Sequence, residues 1–314
     1  MILEVKNLKI KFKDSLNYVV NDVSFKLNEG EIVSLVGESG SGKSVTSLAI
    51  MGLLSEESEV SGEVIFNNKN LLNLNEKEMC TIRGKDIGMI FQEPMSALNP
   101  LMTVENQIGE VITQHTKLEK KAVKERVIEL LEKVKIPNPK GMLKKYPHEL
   151  SGGMRQRVMI AMAIAMSPKI LIADEPTTAL DVTIQNEILE LLKDIAKEMK
   201  MSIIFITHDL DVVCEMANRV LVMYLGNVVE EAPILEFFDN TMHPYSKGLI
   251  LSRPSNILEG NRLYSIRGMV PSVDEIPNGC SFSNRCSECL KECTKDIPKL
   301  KEIKANHKVR CHLY

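Results

Sequence analysis

Positions 37–44 carry the most specific chemistry in the chain. Gly37-Glu38-Ser39-Gly40-Ser41-Gly42-Lys43-Ser44 follows the apolar stretch EIVSLVG and precedes VTSLAIMGLL, which has helical texture. This is the GxxxxGK[ST] pattern in the strand, loop, helix setting that it requires. Glycines let backbone N–H groups curl around phosphate oxygens, and the start of the helix adds the positive end of its dipole. Lys43 is expected to reach the β and γ phosphates of a nucleotide and Ser44 to ligate Mg2+. A Gly-rich turn that binds nothing is the alternative, and the correct flanking elements weigh against it.

Such a site needs an acid at the end of a buried strand, near the metal. ILIADEP supplies Asp174 after four apolar residues, with Glu175 next to it. Two adjacent carboxylates suit different duties, Asp174 in the metal shell and Glu175 polarising an attacking water. A surface pair capping a helix is the competing reading. Ser151, Gly152 and Gly153 open the run MRQRVMIAMAIAM, so they offer a second helix N-terminus and a hydroxyl to an anion. The methionines of that run are packing material. His208 closes the apolar run MSIIFITH and, taken alone, reads as a strand-end histidine satisfied in the core.

Five of the seven cysteines lie at positions 280, 286, 289, 293 and 311. No uninterrupted apolar stretch of signal-peptide length opens the chain, so thiols or metal ligation are favoured over disulfides. Cys286-x-x-Cys289 with His307 and His312 would suit zinc, an iron–sulfur cluster suits the cysteines equally well, and unligated thiols remain a third possibility.

The elements that must position these residues follow from the hydrophobic pattern. The runs at 31–37, 86–92, 169–174 and 201–208 are short, apolar and β-branched, with helices between. They predict buried strands of a mainly parallel sheet in an α/β fold, preceded by antiparallel strands in the first thirty residues. Val123, Val127, Leu130, Leu131 and Val134 recur at helical spacing among Lys and Glu, which predicts a helical insertion. Beyond about residue 254 long periodic segments cease, and a separate C-terminal module is expected. The chain has 314 residues, 44% apolar and 26% charged, with a net charge of -3. That composition excludes a disordered chain and argues against nucleic acid as a partner. The longest apolar run, VMIAMAIAM, is far short of the roughly 20 residues that span a bilayer, so any membrane work is done by docking.

The ordered set GESGSGKS, MIFQEP, LSGGMRQRV, ILIADEP, TTALD and FITHD resembles the ATP-binding cassette (ABC) ATPases over residues 1 to about 250. The resemblance implies a P-loop ATPase with a RecA-like mixed-sheet core, an antiparallel β subdomain and a helical subdomain at about 93–165. The ATPase domain would cover 1–253 and the cysteine-rich module 254–314. ATP contacts then fall to Gly37, Ser39, Gly40, Ser41, Gly42, Lys43, Ser44 and Val45, with Phe12 stacking on adenine; Tyr18 is its rival. Gln92 resembles the Q-loop glutamine and joins Ser44 and Asp174 around Mg2+. Asp181 resembles the D-loop residue, His208 the switch histidine that assists Glu175, and Ser151, Gly152 and Gly153 would grip ATP bound to an opposite cassette.

Longer agreement, in MIFQEPMSALNPLMTV, YPHELSGGMRQRVMIAMAIA, HPYSKGLI and the ending GCSFSNRC…RCHLY, resembles the ATP-binding subunits of bacterial oligopeptide/dipeptide importers. This implies a second, different ATPase chain, two transmembrane permease subunits docked around Glu93 to Pro100, an extracellular solute-binding protein, and a place on the cytoplasmic face of the membrane. Nickel or another small solute is the alternative cargo. A non-transport cassette protein, or a metal- or redox-sensing ATPase, is the rival function. The family spacing Cx5Cx6Cx17C selects Cys280, Cys286, Cys293 and Cys311 for a [4Fe-4S] cluster and leaves Cys289 over, with zinc as the other metal.

Overall fold

Alternating buried and solvent-facing positions make β1 (Leu3–Phe12) a strand with one wet face. It pairs antiparallel with β2 (Val20–Leu27) on one side. After β3 (Ile32–Val36) and α1 (Lys43–Ile50), β4 (Ser58–Phe66) pairs with its other side and β5 (Lys69–Asn70) pairs with β4. The order β2-β1-β4-β5 is the expected antiparallel layer.

The computed structural model describes residues 1–178, 180–253 and 264–314. They cluster into two compact units, Met1–Asn73 with Phe205–Tyr314, and Leu74–Ile204. The expected boundary at 253/254 borders residues outside the described set. The described part of the C-terminal segment groups with the N-terminal unit.

The second unit starts with α2 (Glu76–Ile82), whose capping box joins Asn75 and Glu78. β6 (Ile87–Ile90) runs parallel to β7 (Ile170–Asp174), and all residues of both are buried. Between them lie α3 (Pro94–Ala97), α4 (Val104–His115), α5 (Lys120–Lys133), α6 (Pro139–Met142) and α7 (Gly152–Ala163). The helical periodicity of the sequence is realised in α5, which buries Val123, Val127, Leu130 and Leu131. Arg157, buried in α7, donates to the Val134 carbonyl at 2.9 Å and to Glu187 at 2.7 Å. α8 (Val182–Met199) is amphipathic and ends at Lys200 in the left-handed region. β8 (Ser202–Thr207) then carries the chain into the other unit.

There β3 pairs parallel with β9 (Arg219–Tyr224), which follows α9 (Leu210–Met216). β9 turns into antiparallel β10 (Asn227–Pro233), followed by α10 (Ile234–Asp239) and α11 (Pro244–Leu251). The hairpin of β11 (Lys301–Lys304) and β12 (His307–Val309) extends the sheet beyond β10. The C-terminal segment therefore shares the main core: Phe282 is buried against Tyr224 and Tyr245, with ring centroids 5.2 and 5.3 Å away. Among the described residues no helix is long and apolar enough to cross a membrane.

Glu230 of β10 is fully buried and satisfied by the N–H groups of Met242 (2.7 Å) and His243 (3.0 Å) and by His307 Nε2 (2.8 Å). His243 Nδ1 in turn accepts the Tyr245 N–H at 3.1 Å and so caps α11. Burial holds the His243 pKa down, to about 4 from 6.5, so the neutral ring is the folded form. The sign follows: this stability is complete above pH 6.5 and is lost as pH falls towards 4, to a total of about 3 kcal/mol. Protonation also consumes the Nδ1 lone pair that makes the cap. Unfolding followed from pH 7 to 4 should show this loss, and His243→Asn, which caps without titrating, should flatten the slope.

Candidate functional site

The loop after β3 closes tightly because its first residue has no side chain. A Cβ on Gly37 would lie 2.2 Å from the Met223 carbonyl oxygen, and Gly37 has φ +153. At the other end Gly42, at φ +97, has the Val19 carbonyl 2.9 Å from where a Cβ would stand. No side chain caps the N-terminus of α1. The buried Lys43 ammonium donates to the carbonyls of Gly37 (2.7 Å) and Glu38 (3.0 Å) and to Ser41 Oγ (3.2 Å). It is thus held inside the curl of the loop, beside the position that the motif assigns to phosphate. Ser44 follows it in the first turn of α1, then Val45. Ser39 is solvent-exposed and Gly40 is left-handed, at φ +78.

Neighbouring chain also braces the loop. Gly226 N–H donates to the Ser41 carbonyl at 3.0 Å, and Asn21 N–H to the Gly226 carbonyl at 2.7 Å. Tyr18 therefore directly precedes the backbone packed on Gly42; the residue is 41% exposed, with Lys9 Nζ 5.8 Å from its ring centroid. Phe12 ends β1 and pairs with Ser58 instead. His208 belongs to the same unit, exposed just beyond the end of β8.

The other unit holds a second set. Asp174 ends the buried strand β7 and is itself 5% exposed. Glu175 follows at φ +46, a conformation rare for a residue with a side chain. Its Oε2 accepts from Gln92 Nε2 at 3.1 Å and from Thr178 Oγ1 at 2.8 Å. Glu175 and Gln92 are thus brought together. Ser151 caps α7 by accepting the Met154 N–H at 3.3 Å, and Ser151 and Gly152 are solvent-exposed. Gly153 is needed because a Cβ there would meet Ile184 Cγ2 at 2.9 Å. Asp181 caps α8 through the Ile184 N–H at 3.0 Å.

The cysteines gather in the C-terminal segment. Cys293 and Cys311 are buried, Cys280 and Cys286 are half-buried, and Cys289 is exposed. Burial pushes the Cys280 and Cys286 thiols up to about 11, and the sulfurs of Cys293 and Cys311 push both the same way. Cys311 is likewise raised by burial and then by Cys293. Cys280 N–H donates to the Cys293 carbonyl at 2.8 Å. Neither histidine joins them: His307 is bonded to Glu230, and His312 Nε2 lies 2.9 Å from the Asp296 carbonyl. Among the described residues no three His, Cys, Asp or Glu side chains are arranged to hold a metal ion.

Comparison with known proteins agrees with this geometry. Residues 20–178 match the ABC transporter family, and residues 229–293 match the C-terminal region of oligopeptide/dipeptide transporters. The oligopeptide transport ATP-binding protein AppD of Bacillus subtilis (strain 168) is 48% identical over 100% of this chain and 97% of its own length. The chain belongs to the ATP-binding proteins of oligopeptide/dipeptide ABC transporters. OppD of the same organism, also an oligopeptide transport ATP-binding protein, is 50% identical over 99% of this cassette and 88% of its own length. The dipeptide transport ATP-binding protein DppD is 48% identical over 99% and 94%. Among solved structures, the dimeric ATP-binding cassette MJ0796 bound to ADP and Pi superposes with TM-score 0.66 at 31% identity, over 74% of this chain and 99% of that one. The cassette is an ATPase, and its mixed sheet with an antiparallel layer is the fold of this family.

The sequence reading missed the loop's braces, Val19 and Gly226, because they are backbone contacts with no side-chain signature. The Gly37 approach gives a direct check on the cassette. Gly37→Ala should cost roughly 2 kcal/mol or more through clash and strain, seen as a lowered unfolding midpoint together with loss of ATP binding in a nucleotide titration.

Proposed function

We propose that this cassette hydrolyses ATP to power import of oligopeptides or dipeptides through an ABC transporter, acting at the cytoplasmic face of the membrane. The observation that carries the ATPase part is the loop at 37–44, glycine-closed and with Lys43 held in its curl. Peptide as cargo rests on relatives named for oligopeptide and dipeptide transport over nearly their whole length.

In this reading Gly37, Ser39, Gly40, Ser41, Gly42, Lys43, Ser44 and Val45 hold the phosphates, and Phe12 stacks on the adenine, with Tyr18 as the alternative. Ser44, Gln92 and Asp174 offer only oxygen donors, the set that suits Mg2+. When bound, that ion neutralises charge on the β and γ phosphates. Glu175, held by Gln92 and Thr178, orients the attacking water, and His208 contacts the γ-phosphate. Ser151, Gly152 and Asp181 are solvent-exposed, which suits residues that meet ATP on an opposite cassette. That partner is a second, different ATPase chain. Phe91, Met95 and Leu101 are exposed apolar residues at 40%, 52% and 85%. Exposed apolar residues around Glu93 to Pro100 suit a docking surface for a permease subunit, and two such subunits complete the membrane part.

Residues 254–314 act as a C-terminal module in which Cys280, Cys286, Cys293 and Cys311 hold a [4Fe-4S] cluster as a structural staple. Burial supports this set: Cys293 and Cys311 are buried, Cys280 and Cys286 half-buried, and Cys289, outside it, is exposed. Zinc is the alternative metal for these thiols.

In the assembled transporter Glu175→Gln should retain ATP binding, nearly abolish turnover and accumulate a closed pair of cassettes; hydrolysis at the parental rate would remove Glu175 from the role of base. Uptake of a labelled tripeptide, competed by unlabelled peptide but not by nickel, is the expected cargo result. Protein purified without oxygen should be brown and contain iron and acid-labile sulfide, whereas colourless protein with stoichiometric zinc would replace the cluster by zinc.

A further inference from the structure

Glu38 is an awkward residue for a phosphate loop. Its carboxylate is a negative charge one residue from Gly37, on a loop that must receive a polyanion. Its surroundings resolve the difficulty. Arg285, its side chain only 4% exposed, reaches Glu38 with a two-pronged contact, Nη1 to Oε2 at 2.7 Å and Nη2 to Oε1 at 3.1 Å. The guanidinium is aimed by the carbonyls of Arg267 (3.0 Å) and Gly268 (3.3 Å) and by Tyr224 Oη at 3.4 Å. It also lies 5.8 and 6.0 Å from the ring centroids of Tyr224 and Phe282. Two further contacts hold Glu38 itself. Its N–H donates to Tyr245 Oη at 2.9 Å, and its carbonyl accepts from Lys43 Nζ.

We propose that Arg285 is a positioning residue for the phosphate loop. It pins the Gly37–Glu38 turn in the shape that receives ATP and cancels the carboxylate charge that would otherwise repel the phosphates. It comes from the turn between Cys280 and Cys286, where Ser283 N–H bonds the Cys280 carbonyl and Arg285 N–H the Phe282 carbonyl. The cysteine-bearing segment is thus a brace on the nucleotide site through one side chain. A planar fork is required, because a point charge cannot bind both carboxylate oxygens in one fixed geometry. The loop binds phosphates in both ground and transition states, so the expected effect falls on ATP affinity and KM more than on kcat.

This rests on the assignment of residues 37–44 to the ATP phosphates. The test titrates the full chain with a fluorescent ATP analogue and measures KM and kcat in the assembled transporter. Arg285→Ala should weaken ATP binding about tenfold and raise KM with little change in kcat. The loss should shrink at high salt, because exposed repulsion is screened. Adding Glu38→Gln to Arg285→Ala should recover most of the affinity by removing the unmasked charge. If Arg285→Ala does not fold, Arg285→Lys carries the test, with a smaller loss in the same direction. A folded Arg285 variant with parental ATP affinity overturns the proposal, as does a loss that Glu38→Gln does not relieve, since a purely structural arginine gives a lower unfolding midpoint that is indifferent to the Glu38 charge. Lys43→Ala separates the two levels: if it too leaves ATP affinity unchanged, the assignment of the loop itself fails.

Discussion

The contact on which most of the N- and C-terminal unit depends is the approach of Gly37 to the Met223 carbonyl, closer than any β-carbon would allow. Parallel pairing of β3 with β9 sets the two backbones side by side through Val36 and Val222. The chain must then leave β3 sharply enough to begin α1 only seven residues later, at Lys43. A side chain at position 37 would push the loop off β9, taking with it the Lys43 contacts and the Gly226 to Ser41 hydrogen bond. One missing methyl group therefore carries both the packing of the sheet and the curl of the loop.

Around that point, parts distant in sequence meet on the same few backbone atoms. Val19 lies against Gly42 and Gly226, while Tyr245 and Arg285 both hold Glu38. The aromatic cluster of Tyr224, Tyr245 and Phe282 packs beside these contacts, with the Arg285 guanidinium 5.8 and 6.0 Å from the Tyr224 and Phe282 ring centroids. The cysteine-bearing segment is built into this cluster, with Cys280 and Cys286 packed against its edge.

Much of this could be read from the residues. The four apolar runs became β3, β6, β7 and β8 within a residue or two of their predicted limits, because fully buried strands leave uninterrupted β-branched stretches. The helical insertion was equally plain in α5. The hairpin of β9 and β10 was not, for two physical reasons. Its turn uses Leu225 at φ +42 before Gly226 at φ +75, where Asn or Asp would have signalled a tight turn. Its second strand buries Glu230 and Glu231, which look exposed until Met242, His243, His307, Arg219 and Lys308 are found to partner them. At the site, residues of the loop and the buried-strand acid announced themselves by type and spacing. Arg285 did not, since its relation to the loop is made by a chain segment far away in sequence.

The division of the chain also has a consequence for its synthesis. The unit at 74–204 is contiguous, so its own residues have all been made by position 204. The other unit is not: β1, β2 and the phosphate loop leave the ribosome first, yet β9, Tyr245 and Arg285 come more than 180 residues later. Until then the N-terminal strands must wait with apolar faces uncovered, the costly kind of non-local closure that slows folding and invites aggregation. Completion of the nucleotide loop is accordingly a late event, and a chain cut short before its cysteines would leave Glu38 without its counter-charge.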